Sequence, residues 1–145
     1  MSEKALLPLL LGSLLLSTAS AITVTTSADG EPGSLRDVLG SASDGETITF
    51  DSSLSGQALT LTQGQLVIDE NLTIDASALA NGFTINADGQ SRILEIQPLS
   101  TVVLQDLTLT GGMPTGEFPA NSGGAIYNNQ AELTLRNCTL SLIHI

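Results

Sequence analysis

The chain has 145 residues and a formal net charge of −11, and its only basic groups are Lys4, Arg36, Arg92 and Arg136. So acidic a surface repels phosphate backbones and anionic headgroups, which argues against nucleic acid as a partner and against binding to an anionic membrane surface. The length fits a single domain. Three Phe, one Tyr and no Trp stand beside 41% apolar residues, so the core has to be built from Leu, Ile, Val and Ala, as suits stacked strands.

The N-terminus reads as a targeting segment. Lys4 supplies the positive end, although Glu3 offsets it, and Ala5–Leu16 is an apolar run too short to span a bilayer comfortably. Ala19-Ser20-Ala21 is an A-x-A cleavage pattern, so residues 1–21 are expected to be a signal peptide and the mature chain to start at Ile22. Export follows, to the extracellular space or the cell surface (the outer membrane), with no membrane insertion after cleavage.

Residues 22–58 form an N-terminal strand and capping-helix module. Ile22–Thr26 alternates as a strand, and Asp29-Gly30 and Pro32-Gly33 mark turns. Ser34-Leu35-Arg36-Asp37 is a capping box that opens a short helix over Leu35–Ala42, with Leu35, Val38 and Leu39 on one face. A stack of strands leaves an open end, and this helix is expected to cover it. Asp44-Gly45 turns the chain into the strand Glu46–Phe50, with Ile48 and Phe50 inward.

Residues 59–139 are expected to be coils. Leu59–Thr62, Leu66–Ile68, Asn71–Asp75, Phe83–Ala87 and Arg92–Gln97 read as short strands. Thr101–Gly112 reads as two strands joined at Gln105-Asp106, and Glu132–Ser141 repeats it 31 residues later, matching Leu133 to Val102, Leu135 to Leu104, Cys138 to Leu107 and Leu140 to Leu109. Leu66–Ile74 reads as a looser copy with one extra residue at the corner. Between the copies, Met113–Ser122 has no alternation and is expected to leave the stack; without those ten residues the spacing is 21, taken as the length of one coil. Gly123–Asn129 brings the chain back, with either Ala125 and Tyr127 or Ile126 turned inward. The single cysteine, Cys138, excludes an internal disulfide and is expected to be a small buried hydrophobe.

The phrases LTLTGG, NSGGAIYNN and ELTLRNCTLS resemble the right-handed parallel β-helix proteins of the pectin-lyase-like fold, especially secreted bacterial ones. Ser34–Asp37 followed by Glu46–Phe50 resembles the opening module of the same proteins. The likeness covers almost all of Ile22–Thr139. GGAI also has a distant likeness to repeats of polymorphic outer-membrane autotransporters, but it occurs once and no F-x-x-N follows. The resemblance implies an all-β, right-handed parallel β-helix, a solenoid with a short N-terminal capping α-helix. Residues 140–145, LSLIHI, break the pattern and match a translation of the transposon end used to tag sequencing libraries. They are expected to be a non-native tail on an N-terminal fragment whose native frame continues, which leaves His144 without a functional meaning.

Proteins of this fold include carbohydrate-active enzymes, so acids and bases were weighed. Asp69, Glu70 and Asp75 fall near one corner, Asp106 near the equivalent corner a coil later, and Asp88 nearby; a cation site would need such acids to converge. Solvated corner acids are the expected reading, with Arg92 and Arg136 paired to acids rather than acting as bases. Neither the paired acids of a glycosidase nor a nucleophile elbow, phosphate loop or Cys/His metal spacing is present. Asn71, Asn128, Asn129 and Asn137 are expected to shape corners, and the sequons at Asn71 and Asn137 are discounted as glycosylation sites. The expectation is a secreted or surface β-helix binding or structural module, adhesin-like, with a carbohydrate or cell-surface ligand. No catalytic residue, metal ligand or cofactor is expected in this chain. The alternative is the N-terminal part of a polysaccharide lyase or glycoside hydrolase.

Overall fold

In a computed structural model, the structure describes residues 20–117 and 121–141. Most of the expected signal peptide, residues 142–145 of the expected tail, and His144 lie outside the described residues. The order is β1 (Ala21–Val24), α1 (Leu35–Ser41), β2 (Glu46–Phe50), β3 (Ala58–Thr60), β4 (Leu66–Ile68), β5 (Leu72–Asp75), β6 (Phe83–Asn86), β7 (Leu94–Ile96), β8 (Thr101–Gln105), β9 (Leu107–Thr110), β10 (Ile126–Asn128), β11 (Glu132–Arg136) and β12 (Thr139–Ser141).

Every strand pair is parallel. Sheet A runs β1-β2-β5-β8-β11, sheet B runs β12-β9-β6-β3 and sheet C runs β10-β7-β4. From β2 onward consecutive strands pass from sheet to sheet, and each full circuit adds one strand to each sheet. The fold is a parallel β-solenoid of about four turns.

Alternation in the sequence sends one residue type inward at the same height of each circuit, so like side chains stack into columns. Ile48, Ile74, Leu104 and Leu135 form one column in sheet A. Leu59, Ile85, Leu109 and Leu140 form another in sheet B. Leu66, Leu94 and Ile126 form a third in sheet C. Phe50 and Phe83 meet at 4.6 Å between ring centroids, placing two of the few aromatics against each other.

α1 is the cap that its sequence specifies. Ser34 Oγ accepts the Asp37 amide at 3.2 Å, while the Asp37 carboxylate accepts the Gly33 amide at 2.8 Å, one residue earlier than a standard capping box. Leu35, Val38 and Leu39 are buried in the common core, and the helix packs against β1 and β4, edge strands of two sheets. Arg36 then ties the cap to the first coil. Its guanidinium donates to Asp29 Oδ1 at 2.7 Å and to the carbonyls of Gly64 and Gln65 at 2.6 and 3.0 Å.

Two expectations change, and a third is decided between its alternatives. The upstream copy is out of phase: Leu72–Ile74 pairs with Val102–Leu104, not with Leu107–Leu109, and Leu66–Ile68 belongs to sheet C. Strand–corner–strand phrases occur at more than one corner of a circuit, and apolar spacing alone does not say which. The circuit is also longer than 21 residues: paired positions lie 26 apart from Glu46 to Leu72 and 30 apart from Leu72 to Val102, because residues 51–57 and 76–82 form loops where β8 and β9 have only Asp106 between them. At the return of the insertion, Ile126 faces the core and Tyr127 faces out, with Ala125 buried just before them.

The downstream repeat holds as matched, with Leu133 on Val102, Leu135 on Leu104 and Leu140 on Leu109. Cys138 is half-buried against the core rather than fully enclosed, and its thiol donates to the Leu104 carbonyl at 3.3 Å.

Candidate binding groove

The outer face of sheet C carries the most distinctive surface chemistry. Outward positions alternate with the core column, and the register places Val67, Glu95 and Tyr127 side by side on successive circuits. Gln65 and Arg92 precede β4 and β7 and reach over the same face. Arg92 is 5% exposed, which for an arginine requires partners on several sides. Its Nε donates to the carbonyls of Ser122 and Gly123 at 2.8 and 3.2 Å, at the base of the returning insertion. Its Nη1 donates to Gln65 Oε1 at 2.8 Å and Glu95 Oε2 at 3.2 Å. The Tyr127 ring lies over the guanidinium, 4.7 Å from Cζ to the centroid.

Glu95 is the hub of this network. One carboxylate oxygen takes Arg92 and the Gln65 amide, and the other accepts Gln97 Nε2 at 2.7 Å. With both oxygens already accepting hydrogen bonds, Glu95 serves as a positioning anion for the planar groups around it.

Two hollows flank Gln65. One, of about 270 Å³, lies between Gln65, Ser91, Arg92, Glu95 and the start of the insertion at Pro114 and Thr115. The other, of about 340 Å³, lies between Gln65, Val67, Asp69, Glu70 and the C-terminal half of α1. Cap helix and the start of the insertion thus flank two hollows that meet at Gln65, a trough over the outer face of sheet C.

The acids weighed from the sequence do not converge. Asp69 and Glu70 stand at the corner from sheet C to sheet A, Asp75 and Asp106 at the corner from A to B, and Asp88 between B and C. Asp75 accepts the Ser77 amide at 2.8 Å, and Asp106, at φ +59°, stacks against Asn137 at φ +51° through a side-chain hydrogen bond. Among the described residues no group of three His, Cys, Asp or Glu side chains is arranged to hold a metal ion. Arg92 pairs with an acid, as expected, but with Glu95 on the strand that follows it rather than a corner residue.

Asn71 is a corner linker: its Nδ2 donates to Asp44 Oδ1 at 2.6 Å and its Oδ1 accepts the Thr101 amide at 2.7 Å. Asn128 closes the equivalent corner two circuits later by accepting the Ala131 amide at 2.8 Å. The groove residues Gln65, Glu95 and Tyr127 did not stand out in the sequence. Their one signal is that each is a polar or aromatic residue at the outward position of a short strand or just before it.

No protein-family model matches the chain, and no curated protein or solved structure shows significant similarity to it. The parallel register of three stacked sheets carries the fold assignment.

Proposed function

We propose that this chain is a secreted or cell-surface β-solenoid module that binds an extended polyhydroxylated ligand, a carbohydrate of a cell surface, in the trough over sheet C, without transforming it. The observation that carries this reading is the Gln65–Arg92–Glu95–Gln97 network under the Tyr127 ring. Planar amide, carboxylate and guanidinium groups held in fixed positions present directed donors and acceptors, and an aromatic ring offers a face for the C–H surface of a sugar. The A-x-A site after an apolar run supports export, and the likeness of its phrases to pectin-lyase-like β-helix proteins supports an extracellular polysaccharide setting. An adhesin-like role is in keeping with this arrangement: three neighbours fix Glu95 while its carboxylate keeps acceptor capacity at the surface, and the Ser122 carbonyl anchors Arg92.

Glycan-array binding of the purified protein tests this, with parallel assays of polysaccharide cleavage in the presence and absence of Ca²⁺. Retention of particular glycans with no product formed is the expected outcome. Turnover would instead identify the chain as part of a lyase or hydrolase, and absence of glycan binding would overturn the proposal.

A further inference from the structure

Both guanidiniums beside the trough are engaged within the protein. Arg36, on the cap side, donates to both carboxylate oxygens of Asp29 and to the carbonyls of Gly64 and Gln65. Arg92 pairs with Glu95 and donates to Gln65 and to the Ser122 and Gly123 carbonyls. Two acids on the trough wall have no such balance. Among the described residues no cation pairs with Asp69 or Glu70, which line the hollow beside α1. The potential over this face is therefore negative, in keeping with a chain of net charge −11.

The hydrogen-bonding capacity left open on the same face is that of an acceptor. Glu95 Oε2 takes Arg92 and Gln65, whereas among the described residues Oε1 takes only Gln97 Nε2, at 2.7 Å. A carboxylate oxygen has two lone-pair directions, so Oε1 retains one, and the Glu95 side chain is 22% exposed. Val67, itself 45% exposed, and Tyr127 flank Glu95 on the neighbouring strands, about 4.8 Å to either side. A sugar lying across these strands sets its C–H face on an apolar neighbour and donates a hydroxyl to Oε1. A uronate or sulfate group offers acceptors only, and it brings a negative charge to a negative face.

We propose that the trough selects glycans of neutral sugars and rejects those bearing uronate or sulfate groups, with Glu95 as the residue that reads a sugar hydroxyl. This rests on the carbohydrate-binding reading above and narrows it to a ligand class. Two effects act in the same direction. Asp69 and Glu70 repel an anionic chain as it approaches, and Glu95 gives an anionic group nothing to bond. The repulsion between exposed charges is screened over about 10 Å at 0.1 M salt, so it depends on ionic strength, whereas the hydroxyl bond to Glu95 does not.

Binding of the full chain to an array of neutral, uronate-bearing and sulfated glycans, read at about 0.01 M and about 0.15 M salt, tests the proposal. The retained glycans are expected to be neutral, with retention unchanged by salt. Acidic glycans are expected to bind roughly tenfold or more weakly, with the gap narrowing at the higher salt. Asp69→Asn combined with Glu70→Gln is expected to narrow the gap by roughly threefold or more at low salt. Glu95→Gln is expected to weaken neutral binding by about tenfold. Because Glu95 also holds Arg92, circular dichroism checks the fold of that variant, and the double variant, at surface positions, tests the charge effect independently. Acidic glycans retained as well as neutral ones, or a gap unmoved by the double variant, would overturn the selection and leave a carbohydrate-binding trough standing. Retention of no glycan at all would remove both.

Discussion

Leu99 is 92% exposed and sits at φ +70°, in the left-handed region that a leucine occupies only under constraint. The corner from sheet C to sheet A imposes it, as it imposes φ +60° on Gln130 one circuit later. Leu99→Asn is therefore expected to raise unfolding stability by about 1 kcal/mol, measured by urea denaturation. Asp29 shows the opposite economy of design. Burial raises its pKa, but the Arg36 guanidinium and the amides of Thr62 and Gln63 outweigh that and hold it below the ordinary aspartate range. Its contribution is complete above the unfolded-state pKa and is lost as pH falls through the lower, folded-state value. Asp29→Asn is expected to cost about 2 kcal/mol at neutral pH and to flatten the stability loss below about pH 4, as followed by thermal melts across pH. At this scale the sequence was legible where function is local: Ser34 and Asp37 are three residues apart and cap as their spacing says. Asp29 and Arg36 also reach the 62–65 corner, a contact that no local spacing reveals.

Among the elements, the insertion shows how paired glycines make a stem. The chain leaves at Gly111-Gly112 and returns at Gly123-Gly124, and a Cβ on Gly112 would lie 2.1 Å from the Gly124 carbonyl oxygen. Gly123 is equally confined, since a Cβ there would lie 2.2 Å from the Ile126 carbonyl oxygen. The two strands of the stem thus approach at backbone distance, and the Ser122 and Gly123 carbonyls are delivered to Arg92. Gly112→Ala is expected to destabilise by about 2 kcal/mol and to displace Arg92 and Tyr127, seen as a lower melting midpoint and altered near-ultraviolet dichroism of the single tyrosine. The 31-residue repeat was legible because β8–β9 and β11–β12 share one corner type, with almost nothing between the strands. The copy at Leu66–Ile74 misled because three-residue apolar alternations mark every sheet alike, and only cross-coil pairing tells β4 from β5.

For the molecule as a whole, an acidic solenoid leaves its core columns no choice of partner but the next circuit, and leaves function to the outward positions. Those positions are polar nearly everywhere. Sheet C differs because a buried arginine, two glutamines, a glutamate and a tyrosine are fastened to one another between the cap and the insertion. That groove was not legible in the sequence, since Gln65, Glu95 and Tyr127 come from three circuits and meet only through the register of β4, β7 and β10. The direct test is a ¹H–¹⁵N correlation titration of the protein with a glycan retained on the array, repeated with Tyr127→Ala. The account predicts shifts confined to residues around Gln65, Arg92, Glu95 and Tyr127, and a roughly tenfold or greater loss of affinity in the variant. Shifts centred on another sheet, with affinity unchanged in Tyr127→Ala, would contradict it.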